Sequence, residues 1–165
     1  MARTRSQMPL LPSLLDRLTD EAPDRRREAE RSRVAMLRDI RDGIRRDLEN
    51  LLNTRCIATL DDSPMQELRT SLLTYGLPDF SRVQLGAEAD REALRRRIQE
   101  AIRRFETRLA NVSVALIDSG DYGDRTLHLK ISALLMVEPD PVSLVFDSRI
   151  HTLDRKVRLQ EVYHG

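Results

Sequence analysis

The chain has 165 residues, 40% hydrophobic and 33% charged, a composition that suits one soluble globular domain with heavily charged helix surfaces. Its 28 basic residues meet 27 acidic ones for a net charge of +1, which argues against nucleic-acid binding, since that rests on unopposed positive charge. No apolar run reaches the ~20 residues of a membrane span, no leader opens the chain and the lone Cys56 permits no internal disulfide, so a cytoplasmic protein without membrane insertion is expected.

Residues 1–23 read as a tail. Within it Leu11, Leu14, Leu15 and Leu18 follow the spacing of one helical face, with Pro12 suited to a first helical turn. A helix so short needs a surface to dock on. The linker-like run 20–24 separates it from the core, so an outside groove is its expected destination and the four leucines count as partner-binding residues. Residues 24–165 read as a single domain.

From 24 to 52 the positions Val34, Leu37, Ile40, Ile44, Leu48, Leu51 and Leu52 recur at helical spacing among charged residues, which predicts one long amphipathic helix with a close packing point or bend at Gly43. Ser63-Pro64-Met65-Gln66 then supplies a cap, a first-turn proline and a capping-box glutamine. The predicted helix after it carries Leu68, Leu72 and Tyr75 on one face and stops at Gly76. The stripe Leu94, Ile98, Ala101, Ile102, Phe105 and Leu109 predicts a helix over 88–109.

The pattern then changes to period two. Val112, Val114 and Leu116 form a first strand, followed by a glycine and aspartate turn over 118–124. Leu127, Leu129 and Ile131 open a second strand, ended by Glu138-Pro139-Asp140-Pro141, and Val142, Leu144 and Phe146 make a third. Residues 156–163 form a weaker fourth. The expected fold is α+β, with amphipathic helices packed on a small antiparallel sheet of about four strands.

Little in the chain suggests bound chemistry. His128, His151 and His164 lie far apart with no ligand spacing, so no metal is expected, and the turn around Gly120 and Gly123 sits between strands and does not open a helix as a phosphate loop would. No cofactor is implied. A glycoside hydrolase needs two carboxyls set apart by their environments. Glu106 with Asp118, Asp121 or Asp124 is the nearest approach, but the chain has no Trp, three Tyr and three Phe to build a sugar platform. No catalytic residue is assigned. A peptidoglycan-cleaving hydrolase stands as the alternative function.

Phe105-Glu106-Thr107-Arg108-Leu109 is the most informative pentad, because it sets an acid and an arginine at a helix-to-sheet junction. Two residues apart, Glu106 and Arg108 cannot face each other on a helix and are expected to look to different partners.

Four segments, 13–18, 47–55, 71–80 and 105–109, occur in an order that resembles the TssE family, the baseplate wedge proteins of bacterial type VI secretion systems, related to a contractile-phage wedge protein once labelled lysozyme-like. The resemblance implies a non-enzymatic structural subunit beside the wedge proteins TssF and TssG, on which the contractile sheath of TssB/TssC polymerises. It also implies a fold akin to the part of the sheath subunit that donates strands. The family's Glu-Pro-Arg maps onto Glu106, Thr107 and Arg108. Thr107 departs from it, which restores an N–H and frees φ. Glu106 and Arg108 are thus expected to bind partners. An edge of the sheet is expected to meet the sheath by strand addition, through the last run with Val157 and Leu159.

Overall fold

The computed structural model describes residues 13–18, 32–57, 66–79, 87–118, 126–151 and 156–162. Helix α1 spans Leu14–Leu18, α2 Arg33–Asn53 and α3 Glu88–Phe105, and the strands are β1 Leu109–Asp118, β2 Thr126–Leu135, β3 Val142–His151 and β4 Leu159–Glu161. The strands form one antiparallel meander in the order β1-β2-β3-β4, so the expected α+β fold with a four-stranded sheet is what the chain adopts. Leu11 and the turn at 119–125 lie outside the described residues.

In α2 the apolar stripe is buried from Ile40 onward, with Ile44, Leu48, Leu51 and Leu52, while Leu37 is partly buried and Val34 in the first turn points to solvent at 77% exposure. The helix begins at a cap that the sequence reading missed: Ser32 is extended, and its Oγ accepts from the Ala35 N–H at 3.3 Å. From α3, Leu94, Ile98, Ala101 and Ile102 join the same core. These helices cover one face of the sheet, on which Val112, Val114, Leu129, Ile131, Leu135, Leu144 and Phe146 are buried. Helix α3 packs along β1 and α2 reaches β4.

Three expectations need correction. Residues 66–74 do not form one α-helix. They make two 3₁₀ turns, Gln66–Thr70 and Leu72–Thr74, and Leu72 points to solvent at 87% exposure. The cause is tertiary: the chain here pairs with the end of α2, the Cys56 N–H donating to Leu77 O and the Leu77 N–H to Thr54 O, each at 2.9 Å. Gly76 makes that approach possible, with φ +106° and no side chain where a Cβ would stand 2.3 Å from Thr54 O. Second, α3 ends at Phe105, and Leu109 already belongs to β1. Third, β1 contains a bulge between Ala110 and Ser113, where Asn111 adopts a φ of 51°, so its register is not a plain alternation.

Candidate partner-binding site at the helix-to-sheet junction

Only Glu106, Thr107 and Arg108 join α3 to β1. Glu106 leaves the helix with φ −103° and ψ 81° while its N–H still donates to Ile102 O at 2.8 Å. Because Glu106 and Arg108 flank a turn, the helix-based expectation that they look apart fails: they bind each other. Arg108 Nε donates to Glu106 Oε1 at 2.6 Å and Nη2 to Oε2 at 2.5 Å, a two-pronged pair, and the Arg108 N–H reaches Oε1 at 3.3 Å. One carboxylate therefore closes the turn and clamps the guanidinium.

The network continues to α2. Arg108 Nη2 also donates to Asp47 Oδ2 at 2.6 Å, across 61 residues of sequence. Glu106 is buried at 6% exposure, and the hydrogen bond to Glu106, outweighing burial and joined by the one to Asp47, raises the Arg108 pKa above its ordinary value. Asp47 was not singled out in the sequence, although it opens the quoted segment 47–55; its position two turns below Asn53 carried no sign of a contact with residue 108.

Around this pair lies an open depression of about 420 Å³, lined by Ser13, Asp47, Leu51, Tyr75, Phe105 and Thr107 among others. Tyr75 meets Phe105 edge to face, with ring centroids 5.2 Å apart. Burial, with the charges of Asp47 and Glu106, raises the Tyr75 pKa, so its phenol stays neutral well into the basic range. Thr107 stands exposed at the rim.

Helix α1 reaches the same place. Ser13 Oγ donates to Asp16 Oδ2 at 2.6 Å, and Asp16 pairs with Arg46 of α2. Burial acts to raise the Asp16 pKa, but the hydrogen bonds from Ser13 and Arg46 overcome it and lower the value. The helix comes so near α2 that a Cβ on Gly43 would lie 3.0 Å from Asp16 Oδ2. Its polar side faces α2, and Leu14, Leu15 and Leu18 point away at 70%, 66% and 74% exposure. A line of alternating charge, Asp16, Arg46, Asp47, Arg108 and Glu106, thus joins the tail to the junction.

Val157 and Leu159 are not brought to this site. They are buried at 2% and 3%, and α2 meets both backbone groups of Val157 and the N–H of Leu159: the Asn53 side chain accepts from the Val157 N–H and donates to Val157 O, each at 2.8 Å, and Glu49 Oε1 accepts from the Leu159 N–H at 2.8 Å. The edge expected to be open there is covered by α2 at Val157 and at the Leu159 N–H. No cluster of three metal-ligating side chains occurs among the described residues, and none of their helices is long and apolar enough to cross a membrane.

The family model described as baseplate wedge protein gp25 matches residues 38–140, well over half of the chain, including Asp47, Glu106 and Arg108. The chain belongs to the gp25 baseplate wedge family. That bears out the resemblance drawn from the sequence and assigns the protein to a family of structural baseplate components. The wedge-family match stops short of β3, β4 and their closed edge. A chain of the solved structure described as the baseplate complex from the type VI secretion system shares the fold, with a TM-score of 0.51 and 14% identity over 77% of this chain and 97% of that one. No curated protein matches the sequence at a significant level.

Proposed function

We propose that this wedge-family chain is the TssE-type subunit of a type VI secretion baseplate: a non-enzymatic cytoplasmic protein that joins TssF and TssG and gives the TssB/TssC sheath its first platform. The observation that carries this is the preformed network of Glu106, Arg108 and Asp47 beside an open depression at the junction. A guanidinium already clamped by two carboxylates is held at the surface without the entropy cost of ordering it on binding, as suits a rigid docking point. The exposed leucines of α1, which the Asp16–Arg46 pair holds on α2, extend that docking surface and make the tail a second contact.

The same geometry disfavours the hydrolase alternative. Glycoside hydrolysis needs one carboxyl kept protonated in an apolar pocket. Here Glu106 and Asp47 both accept hydrogen bonds from Arg108, so the carboxyl oxygens at the junction are engaged inside the protein and no pair of carboxyls there stands free to flank a sugar.

Testing the junction calls for a variant that leaves the internal pair intact, because removing Glu106 would take the two-pronged partner from the half-buried Arg108 guanidinium at a cost of about 1–3 kcal/mol. Thr107→Tyr adds bulk at the exposed rim. Co-expressed with TssF and TssG, it is expected to fold with unchanged melting temperature and to co-purify at least about tenfold less well, the equivalent of ~1.4 kcal/mol. Co-purification at the wild-type level would overturn the junction as a wedge contact, and lysis of purified cell wall by the wild-type chain would overturn the non-enzymatic reading.

A further inference from the structure

Helix α1 lies on the protein with its faces reversed. Its polar side meets α2 and Leu14, Leu15 and Leu18 face water, so apolar burial contributes little to its docking and charge contributes most. Asp16 is the anchor. Ser13 Oγ donates to Asp16 Oδ2 at 2.6 Å and accepts from the Asp16 N–H at 3.2 Å, which fixes the carboxylate, and Asp16 then takes the Arg46 guanidinium. The carboxylate comes close to the backbone of α2 at Gly43, where a Cβ would stand 3.0 Å from Asp16 Oδ2.

Arg46 has a second acid within reach. Its Nε stands 4.0 Å from Asp47 Oδ1, much farther than the close contact it makes with Asp16. Asp47 gives its other oxygen to Arg108, whose Nη2 donates to Oδ2 at 2.6 Å. One carboxylate therefore stands between two guanidiniums, with one at each oxygen. The hydrogen bond to Asp16 raises the Arg46 pKa above its ordinary value, against burial and the like charge of Arg108. Arg46 also has room to turn, since its side chain is 49% exposed. The direction it takes decides how much of the Asp47 charge is left for Arg108.

We propose that Arg46 couples the tail to the junction. While α1 is docked, Asp16 holds Arg46 and Asp47 serves Arg108. When a partner draws Leu14, Leu15 and Leu18 into an apolar groove, Asp16 leaves with them and Arg46 turns to Asp47. Arg108 Nη2 then loses one of its two carboxylates and takes one from the partner in its place, while Glu106 still orients the guanidinium. The partner that fits is a chain with an apolar groove and an acidic residue beside it. Linkage makes the effect reciprocal, so a carboxylate bound at Arg108 favours release of the tail by the same factor. The proposal rests on reading α1 and the junction as contacts of a wedge subunit, and it adds an order to them: tail first, junction second.

The test is made by NMR on the free, full-length chain. The ¹⁵N relaxation of Leu14–Leu18 reports whether the tail is docked, and hydrogen exchange of the Arg108 guanidinium reports the junction. Asp16→Ala and Arg46→Met remove opposite ends of one ion pair, and both are expected to mobilise α1. Only Asp16→Ala leaves an Arg46 that can turn to Asp47. Arg108 exchange is therefore expected to rise about threefold in Asp16→Ala, the size of one partly exposed ion pair, and to keep its wild-type rate in Arg46→Met. Unchanged exchange in Asp16→Ala would overturn the proposal. A rise in both variants would overturn it too, by making the tail a simple cover, and so would an α1 that stays rigid in both, since Asp16 would then not hold it. No partner enters these measurements, so their failure removes the coupling alone, whereas a chain that fails to co-purify with TssF and TssG loses the wedge reading.

Discussion

Strands β1 and β4 bound the same sheet, and each is met by side chains of one helix, yet the two edges are closed to different degrees. At β4, Asn53 of α2 acts like a missing neighbour strand, giving Val157 both a donor and an acceptor, and Glu49 takes the Leu159 N–H. Arg41 adds an ion pair to Glu161 at 3.6 Å. At β1 the helix offers guanidiniums, which satisfy two carbonyls and no N–H. An amide both donates and accepts and so can meet both kinds of backbone group on an edge, whereas an arginine can meet only carbonyls and a carboxylate only N–H groups. A three-residue strand met by α2 at its first N–H, and just before it at Val157, sits against the core, and a ten-residue strand guarded by α3 keeps outward donors that this helix does not meet.

The sharpest way to break this comparison is proline on each edge. Val157→Pro removes the donor to Asn53 at a buried position and is expected to cost about 3 kcal/mol. Leu116→Pro removes a donor that faces outward and is expected to cost about 1 kcal/mol, mostly from its half-buried side chain. Urea denaturation midpoints check both, and equal losses would show that the edges are alike. Next in size, Asn53→Ala leaves the Val157 N–H and carbonyl without partners and is expected to lower stability by about 2 kcal/mol, a fall of roughly 4–8 °C in Tm by calorimetry.

The smallest effect concerns the support of the β1 guard. Hydrogen bonds from Arg95 and Arg96 lower the Glu92 pKa from 4.5 to about 2. Its folded value lies below its unfolded one, so its contribution is complete above pH 4.5 and is lost as pH falls towards 2. The group is exposed and screened, so a slight acid-range loss of stability is expected in the wild type, absent in Glu92→Gln and weakened by salt. Identical pH profiles for the two proteins would show that the pair is idle.

The parts of the molecule legible in the sequence are those whose signals are periodic. The stripes of α2 and α3 and the alternation in β1, β2 and β3 reflect burial on one face, and each element is found where its pattern lies. Val157 and Leu159, both apolar and two apart, also point inward as an alternating strand should. What sequence could not reveal depends on contacts between distant residues. Gly76 and the 3₁₀ turns follow from backbone pairing with Thr54 and Cys56, and the closure of β4 from two polar residues of α2. At the junction, Glu106 and Arg108 were legible as the site, but their mutual pairing was not, since it exists only because the helix ends at Phe105 and the chain turns. Asp47 had no signal beyond membership of the segment 47–55. Tail residues 1–12 and the linker lie outside the described residues, so the expectation for Leu11 stands as a proposal with those for Leu14, Leu15 and Leu18.

Hydrogen–deuterium exchange on the free chain and on its proposed complex with TssF and TssG reads the junction itself. New protection is expected at 105–109 and across α1 on complex formation, with the β1 amides of Val114 and Leu116 still exchanging as in the free chain. An unchanged junction in a complex that forms normally would contradict it.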